Sequence, residues 1–266
     1  MTEVQPSFEV VCEIEPPTRP DLKHVRHQIG VLSSVSGRFL IPDNHLGRAT
    51  VSSIAVAREV DLMGGRSIAC LNARDRNLLG FRRDLLTGAA YGVDEFLFVY
   101  GDRPSSGGRT AQLGVQAMID ELRQFAEREA SARQFRAGVT SRLTPLPGWK
   151  RAADFLFVQV SFSADDLLRW RETLAFDGPV YAGVIVLASA PMARKVVAQI
   201  PEVDVPSSWI DALDGDKKAG VDLACGLVER LRDSGAFAGV HLIPGTRYRE
   251  TAARLESLGL RPGRRG

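Results

Sequence analysis

Phe8-Glu9-Val10-Val11-Cys12-Glu13-Ile14-Glu15, closed by Pro16-Pro17, is a short apolar run that carries carboxylates. Its length and β-branched content read as a strand, which the proline pair ends because proline has no N–H to give a ladder. An ionised side chain facing a core costs several kcal/mol (~) unless it is paired, neutralised or used. Glu13 is therefore the first candidate for a working group. The ordinary alternative is that Glu13 or Glu15 faces water at a strand end.

The same kind of run recurs along the chain. Phe8–Glu15, Arg38–Asp43, Arg66–Asn72, Glu95–Asp102, Phe135–Arg142, Asp154–Phe162, Pro179–Leu187 and Gly239–Gly245 are rich in Val, Leu, Ile and Phe and lack clean polar alternation. That character suits parallel strands buried on both faces. Between them, Leu22–Ser34, Thr50–Met63, Arg76–Ala90, Leu113–Ala130, Ala164–Ala175, Pro191–Gln199 and Lys217–Asp233 show helical spacing, and Tyr248–Leu258 closes the series. Thr50, Ser163 and Ser189 read as N-caps, and Gly64, Gly92, Gly235 and Gly259 as the left-handed residues that end helices. Only Pro147–Ala153 separates the fifth and sixth strands, so that crossover is predicted to be one or two turns at most. Eight alternations predict an α/β fold, a single (β/α)8 barrel of the TIM type over residues 1–266; a doubly wound open sheet needs fewer strands.

The 266 residues carry a net charge of +2, with no clustered basic stripe to suggest nucleic acid. Cys12, Cys70 and Cys225 form no CxxC pair or disulfide framework, which fits a reducing cytosol. No signal peptide and no apolar run of membrane-spanning length is visible, so a soluble, cytoplasmic protein is expected. Oligomeric state is open.

In such a barrel the working groups lie at the C-terminal strand ends. Read in order, these ends offer Glu13 and Glu15, then Asp43-Asn44-His45, Asn72 with Arg74-Asp75, Tyr100-Gly101-Asp102, Ser141-Arg142, Gln159 with Ser161, Ser189, and Gly245-Thr246-Arg247. This is a polar pocket without the ligand spacing of a metal site: His24 and His27 have no third partner marked. Gly64-Gly65 and Ser105–Gly108 do not make a strand–GxGxxG–helix fingerprint. His241 reads as a hydrogen-bonded core histidine, and Cys70 as core filler.

Several of these segments together resemble the methylenetetrahydrofolate reductase family. They are Glu13-Ile14-Glu15-Pro16-Pro17, Cys70–Asn77, Phe96–Pro104, Phe157–Phe162, Ala182–Val186 and Thr246-Arg247 with Leu258-Gly259 and Arg261-Pro262-Gly263. The likeness spans nearly the whole chain and implies a (βα)8 barrel. It also implies that Glu13 donates the proton that opens the folate's methylene bridge, and that Asp102 contacts the pterin and favours a cationic intermediate. Gln159 and Arg247 fall at substrate-contacting positions, with Asp43 and Tyr100 beside them. Asn72, Asp75 and Cys70 fall on the cofactor side.

The chain also departs from the family. Cys70 stands for a histidine against the flavin, Tyr100 for an arginine, and Asp43 for a threonine. Met192 and Val196 replace a glutamine and a phenylalanine packed on the folate. The segment that holds the flavin's phosphates has no counterpart, which removes most donors for a pyrophosphate. The expectation is reduction of 5,10-methylenetetrahydrofolate to 5-methyltetrahydrofolate by direct hydride transfer from NADH or NADPH, with no tightly bound FAD. The chemistry needs one carboxyl group kept protonated, which burial favours, and one carboxylate kept charged near the cation. A conventional FAD enzyme, a paralogue for another one-carbon carrier and a non-catalytic folate-binding barrel are the alternatives. Arg19, Arg48 and Arg103 are the arginines available to a 2′-phosphate, and none decides between the two nicotinamides.

Overall fold

The computed structural model describes residues 8–44, 47–102, 110, 113–129, 134–199, 203–216 and 218–263. His45, Arg103 and Ser105–Gly108 lie outside them. Eight parallel strands close into a barrel in sequence order: β1 (Glu9–Glu13), β2 (Arg38–Ile41), β3 (Arg66–Asn72), β4 (Glu95–Val99), β5 (Arg136–Ser141), β6 (Phe155–Val160), β7 (Val180–Ile185) and β8 (Gly239–Ile243). β8 pairs with β1 to complete the ring, Val10 standing opposite Val240. Every expected strand is present, each ending one to three residues earlier than its apolar run suggests or at the same residue. In β1, Ile14 N still donates to Leu40 O, but Glu15 is already exposed.

Around the barrel stand α1 (Lys23–Leu32), α2 (Ser53–Leu62), α3 (Leu78–Tyr91), α4 (Val115–Glu129), α5 (Ala164–Thr173), α6 (Ala190–Gln199), α7 (Ser207–Gly215), α8 (Ala219–Ser234) and α9 (Tyr248–Ser257). Gly148–Ala152 is a 3-10 turn and is all that links β5 to β6, as its short sequence predicts. Ser163 caps α5 by accepting from Asp166 N. Ser189 accepts from Met192 N at the start of α6. The cap expected at Thr50 is not there: Val51 N donates to Pro17 O, which holds that stretch in the loop, and α2 begins only after Ser52. Gly64, Gly92, Gly235 and Gly259 all take positive φ at helix ends. The helix α7 is an addition to the expected set. It lies between the last expected helical stretches, directly after Pro206, and buries only Trp209 and Leu213.

Alternation along the strands divides the core in two. One face, with Cys12, Phe39, Leu71, Phe98, Leu156 and Leu242, packs outward against the helices. The other, with Val11, Leu40, Ile68, Cys70, Leu97, Phe155, Phe157 and Tyr181, fills the barrel. Gly138 makes room there, since a Cβ at that position would meet the Phe155 ring at 1.9 Å.

Below this apolar layer the N-terminal end is plugged by charge. Arg38 is 2% exposed and donates to Glu95 (2.8 Å), Glu9 (3.2 Å) and the Tyr181 hydroxyl (2.7 Å). Arg66 reaches Glu9 and Arg136 reaches Glu95 from the side. The Arg38 guanidinium also lies over the Phe155 and Tyr181 rings. Among the described residues no helix is long and apolar enough to cross a membrane.

Candidate functional site

Above the apolar layer, at the C-terminal mouth, the inward positions turn polar. The parity that sends Val11 inward sends Glu13 inward too, and the parity of Gly239 does the same for His241. The two meet: His241 Nε2 and Glu13 Oε2 are 3.1 Å apart, with both side chains largely buried. The His241 ring is held edge-on by Phe157 at 5.3 Å between centroids. Among the described residues, the second Glu13 oxygen has no hydrogen-bond partner. Cys70 lies close enough to feel this carboxylate. Burial pushes its thiol well above the ordinary range, and the negative charges of Glu13 and Asp43 add to the shift.

Asp43, Asn72 and Asp75 form the neighbouring wall. One Asp43 oxygen, Oδ2, accepts from Asn72 N (2.9 Å), Asn72 Nδ2 (2.7 Å) and Arg76 Nη1, which fixes the carboxylate in place. Asn72 is fully buried, and its Oδ1 takes Asp75 N. Arg74 grips Asp75 through Nε and Nη2, and that hydrogen bond holds the Asp75 carboxyl below its usual range, with Asn44 helping. These residues brace one another into a rigid wall beside Cys70. Arg74 was among the strand-end groups read from the sequence, whereas Arg76 was not; the charged run Arg74-Asp75-Arg76 just after a strand was the available signal.

Asp102 stands on the rim beyond β4. Gly101 turns the chain there with φ +98°, and a Cβ would sit 3.0 Å from the Asn72 Cβ, so backbone and asparagine pack directly together. Asp102 is exposed and is coupled electrostatically to Arg74. Tyr100 receives Arg74 N on its carbonyl while its side chain is half-exposed.

Gln159 is aimed by an irregularity. Phe157 stands opposite Tyr181, but Val160 stands opposite Gly183, so β6 holds one residue more than β7 over that interval. Gly183 permits it: a Cβ there would strike Val158 O at 2.5 Å. Gln159 opens onto a cleft of about 270 Å³ with Arg142, Ser161 and Asp204. Arg247 opens α9 and directs Nη1 to Glu250 at 3.1 Å. The structure thus brings Glu13, Cys70, Asp43 and Asn72 into one electrostatic neighbourhood and adds His241. Gln159 and Arg247 stand on other sectors of the mouth. Among the described residues no group of three or more His, Cys, Asp or Glu is placed to hold a metal ion.

No family model and no curated protein matches this chain. Solved structures do. A Clostridium thermocellum protein described as binding two copies of 5-methyl-5,6,7,8-tetrahydrofolic acid superposes with a TM-score of 0.64 at 12% identity, covering 96% of each chain. A glycoside hydrolase family 17 β-1,3-glucanosyltransferase from Rhizomucor miehei gives 0.53 at 10% identity, over 88% of this chain and 85% of its own. An oxaloacetate acetylhydrolase gives 0.51 at 12%, over 97% and 82%. At these identities the likeness is one of fold: this chain is a (β/α)8 barrel.

Proposed function

We propose that the protein is a reductase of 5,10-methylenetetrahydrofolate, which takes hydride directly from NADH or NADPH and forms 5-methyltetrahydrofolate. The observation that carries this reading is the Glu13–His241 pair inside the barrel mouth. The fold neighbour that binds 5-methyltetrahydrofolate supports a folate as the ligand class, and the sequence motifs point to the same chemistry.

In this reading the Glu13 oxygen not engaged with His241 gives its proton to N10 as the C–N10 bond of the five-membered ring breaks. The methylene carbon is left as an iminium on N5. Hydride from the nicotinamide C4 adds to that carbon, so the substrate is reduced to the methyl level and the nicotinamide is oxidised. His241 fixes the Glu13 carboxyl in one orientation and returns the proton afterwards. Asp102, exposed on the rim beyond β4, supplies negative charge toward the cation. The apolar layer of Leu40, Ile68, Leu97 and Phe157 below excludes water from the floor.

The residues present do not fit a flavin. The link between β5 and β6 is a 3-10 turn of five residues, and its Lys150 ammonium donates to Thr140 O at 2.7 Å. It therefore offers a pyrophosphate no helix N-terminus, and with Lys150 engaged the one other cation of the turn is Arg151, exposed at its surface. No step is assigned to FAD.

The test is oxidation of NADH by flavin-stripped enzyme on adding methylenetetrahydrofolate. Glu13→Gln should lower turnover by roughly 10²–10⁴-fold while folate binding persists. Near-wild-type turnover in that variant removes Glu13 from the role. Folate binding with no turnover in the wild type would make the protein a folate-binding barrel without catalysis.

A further inference from the structure

A second cleft, of about 710 Å³, lies between α1 and the start of α9. Its walls continue from the two strands that hold the Glu13–His241 pair: residues 15–21 follow β1, and Gly245–Glu250 follow β8. Neither Glu13 nor His241 lines it; its walls begin at Glu15 and Gly245, two residues past the ends of β1 and β8. Its volume is that of a site for an organic ligand of ordinary size.

Gln28 of α1 lines this cleft and is only 4% exposed, yet its Oε1 accepts no hydrogen bond. A buried carbonyl left without a donor costs about 1–3 kcal/mol, and native proteins keep few of them. Nearer the surface, Arg249 directs Nε and Nη2 at His27 Nε2, at 3.2 and 2.6 Å, which sets the fork and leaves Nη1 over. The buried Tyr248 ring lies edge-on to His24 and His27 and gives the cleft an aromatic wall. Arg19, exposed on the facing loop, has no ion-pair partner among the described residues.

We propose that this cleft is a second ligand site, for a small molecule with an N–H-bearing heterocycle at one end and a carboxylate at the other. The N–H meets Gln28 Oε1, the heterocycle packs against Tyr248, and the carboxylate meets Arg249 and Arg19. A folate has both ends, so the ligand of the barrel is also the probe for the cleft. That choice of probe rests on the function proposed above.

Calorimetric titration with 5-methyltetrahydrofolate tests it. Two sites are expected in the wild type, one of which weakens at least tenfold in Gln28→Leu and in the exposed variant Arg249→Ala, while the other is unchanged. Gln28→Leu should also raise the melting temperature of the ligand-free protein, because it removes the unsatisfied acceptor. A single site that both variants leave intact overturns the cleft and keeps the barrel. A single site lost in both keeps the cleft and overturns the barrel. No binding at all overturns both.

Discussion

Glu13 and His241 are 228 residues apart in sequence and in contact in the barrel, and that contact is what gives the glutamate a defined environment. The sequence marked Glu13 as a candidate working group on a core strand and His241 as a hydrogen-bonded core histidine. The pairing was not legible, because it depends on the register at which β8 meets β1. Cysteine chemistry belongs to the same scale. Burial pushes the thiols of Cys12 and Cys225 up to about 12 and that of Cys70 well above its usual range. An unfolded thiol titrates near about 8.5. The folded state therefore keeps protons that the unfolded state releases, so this stability is complete below about pH 8.5 and is lost as pH rises toward the folded values. Unfolding free energy measured in urea should fall from pH 9 upward, with a slope of up to about 1.4 kcal/mol per pH unit for each thiol. A flat profile between pH 8 and 10 would show that the thiols ionise inside the fold.

The elements were the most readable part of the chain. Continuous Val, Leu, Ile and Phe runs marked all eight strands because each strand is buried on both faces. The helix α7 escaped because nine residues after Pro206, about two and a half turns with two buried residues, have little periodicity to read. The extra residue of β6 escaped because nothing in Phe157-Val158-Gln159-Val160 marks it; the permissive glycine, Gly183, is on the neighbouring strand. Turn geometry at the mouth gives a prediction at this scale. Gly101→Ala forces an L side chain into φ +98° and against Asn72, which should cost about 1–3 kcal/mol and displace Asp102. Turnover should drop accordingly, whereas Gly148→Ala, whose Cβ meets nothing within 4 Å, should leave it unchanged. Equal activity in the two variants would free Asp102 from any dependence on that turn.

Taken whole, the barrel is stiff and ionic at its base, apolar at its waist and polar at its mouth. The base was invisible in the sequence: Arg38 opens a strand like any other, and its partners Glu95 and Tyr181 lie 57 and 143 residues away. Arg38→Met leaves Glu95 buried with Arg136 alone, and Glu9 with Arg66 and the Tyr181 hydroxyl. It should destabilise the protein by about 3–5 kcal/mol in chemical denaturation, while KM for the folate stays near wild type. A loss below 1 kcal/mol (~) would mean that Arg66 and Arg136 suffice. The uneven count between β6 and β7 reaches further than one glutamine. A cylinder of strands closes only when the staggers around its circumference sum to a fixed shear, and one surplus residue is part of that sum. Deleting Val158 would thus do more than rotate one amide: the ring would lose a unit of offset, and another seam would have to slip for the circle to meet itself.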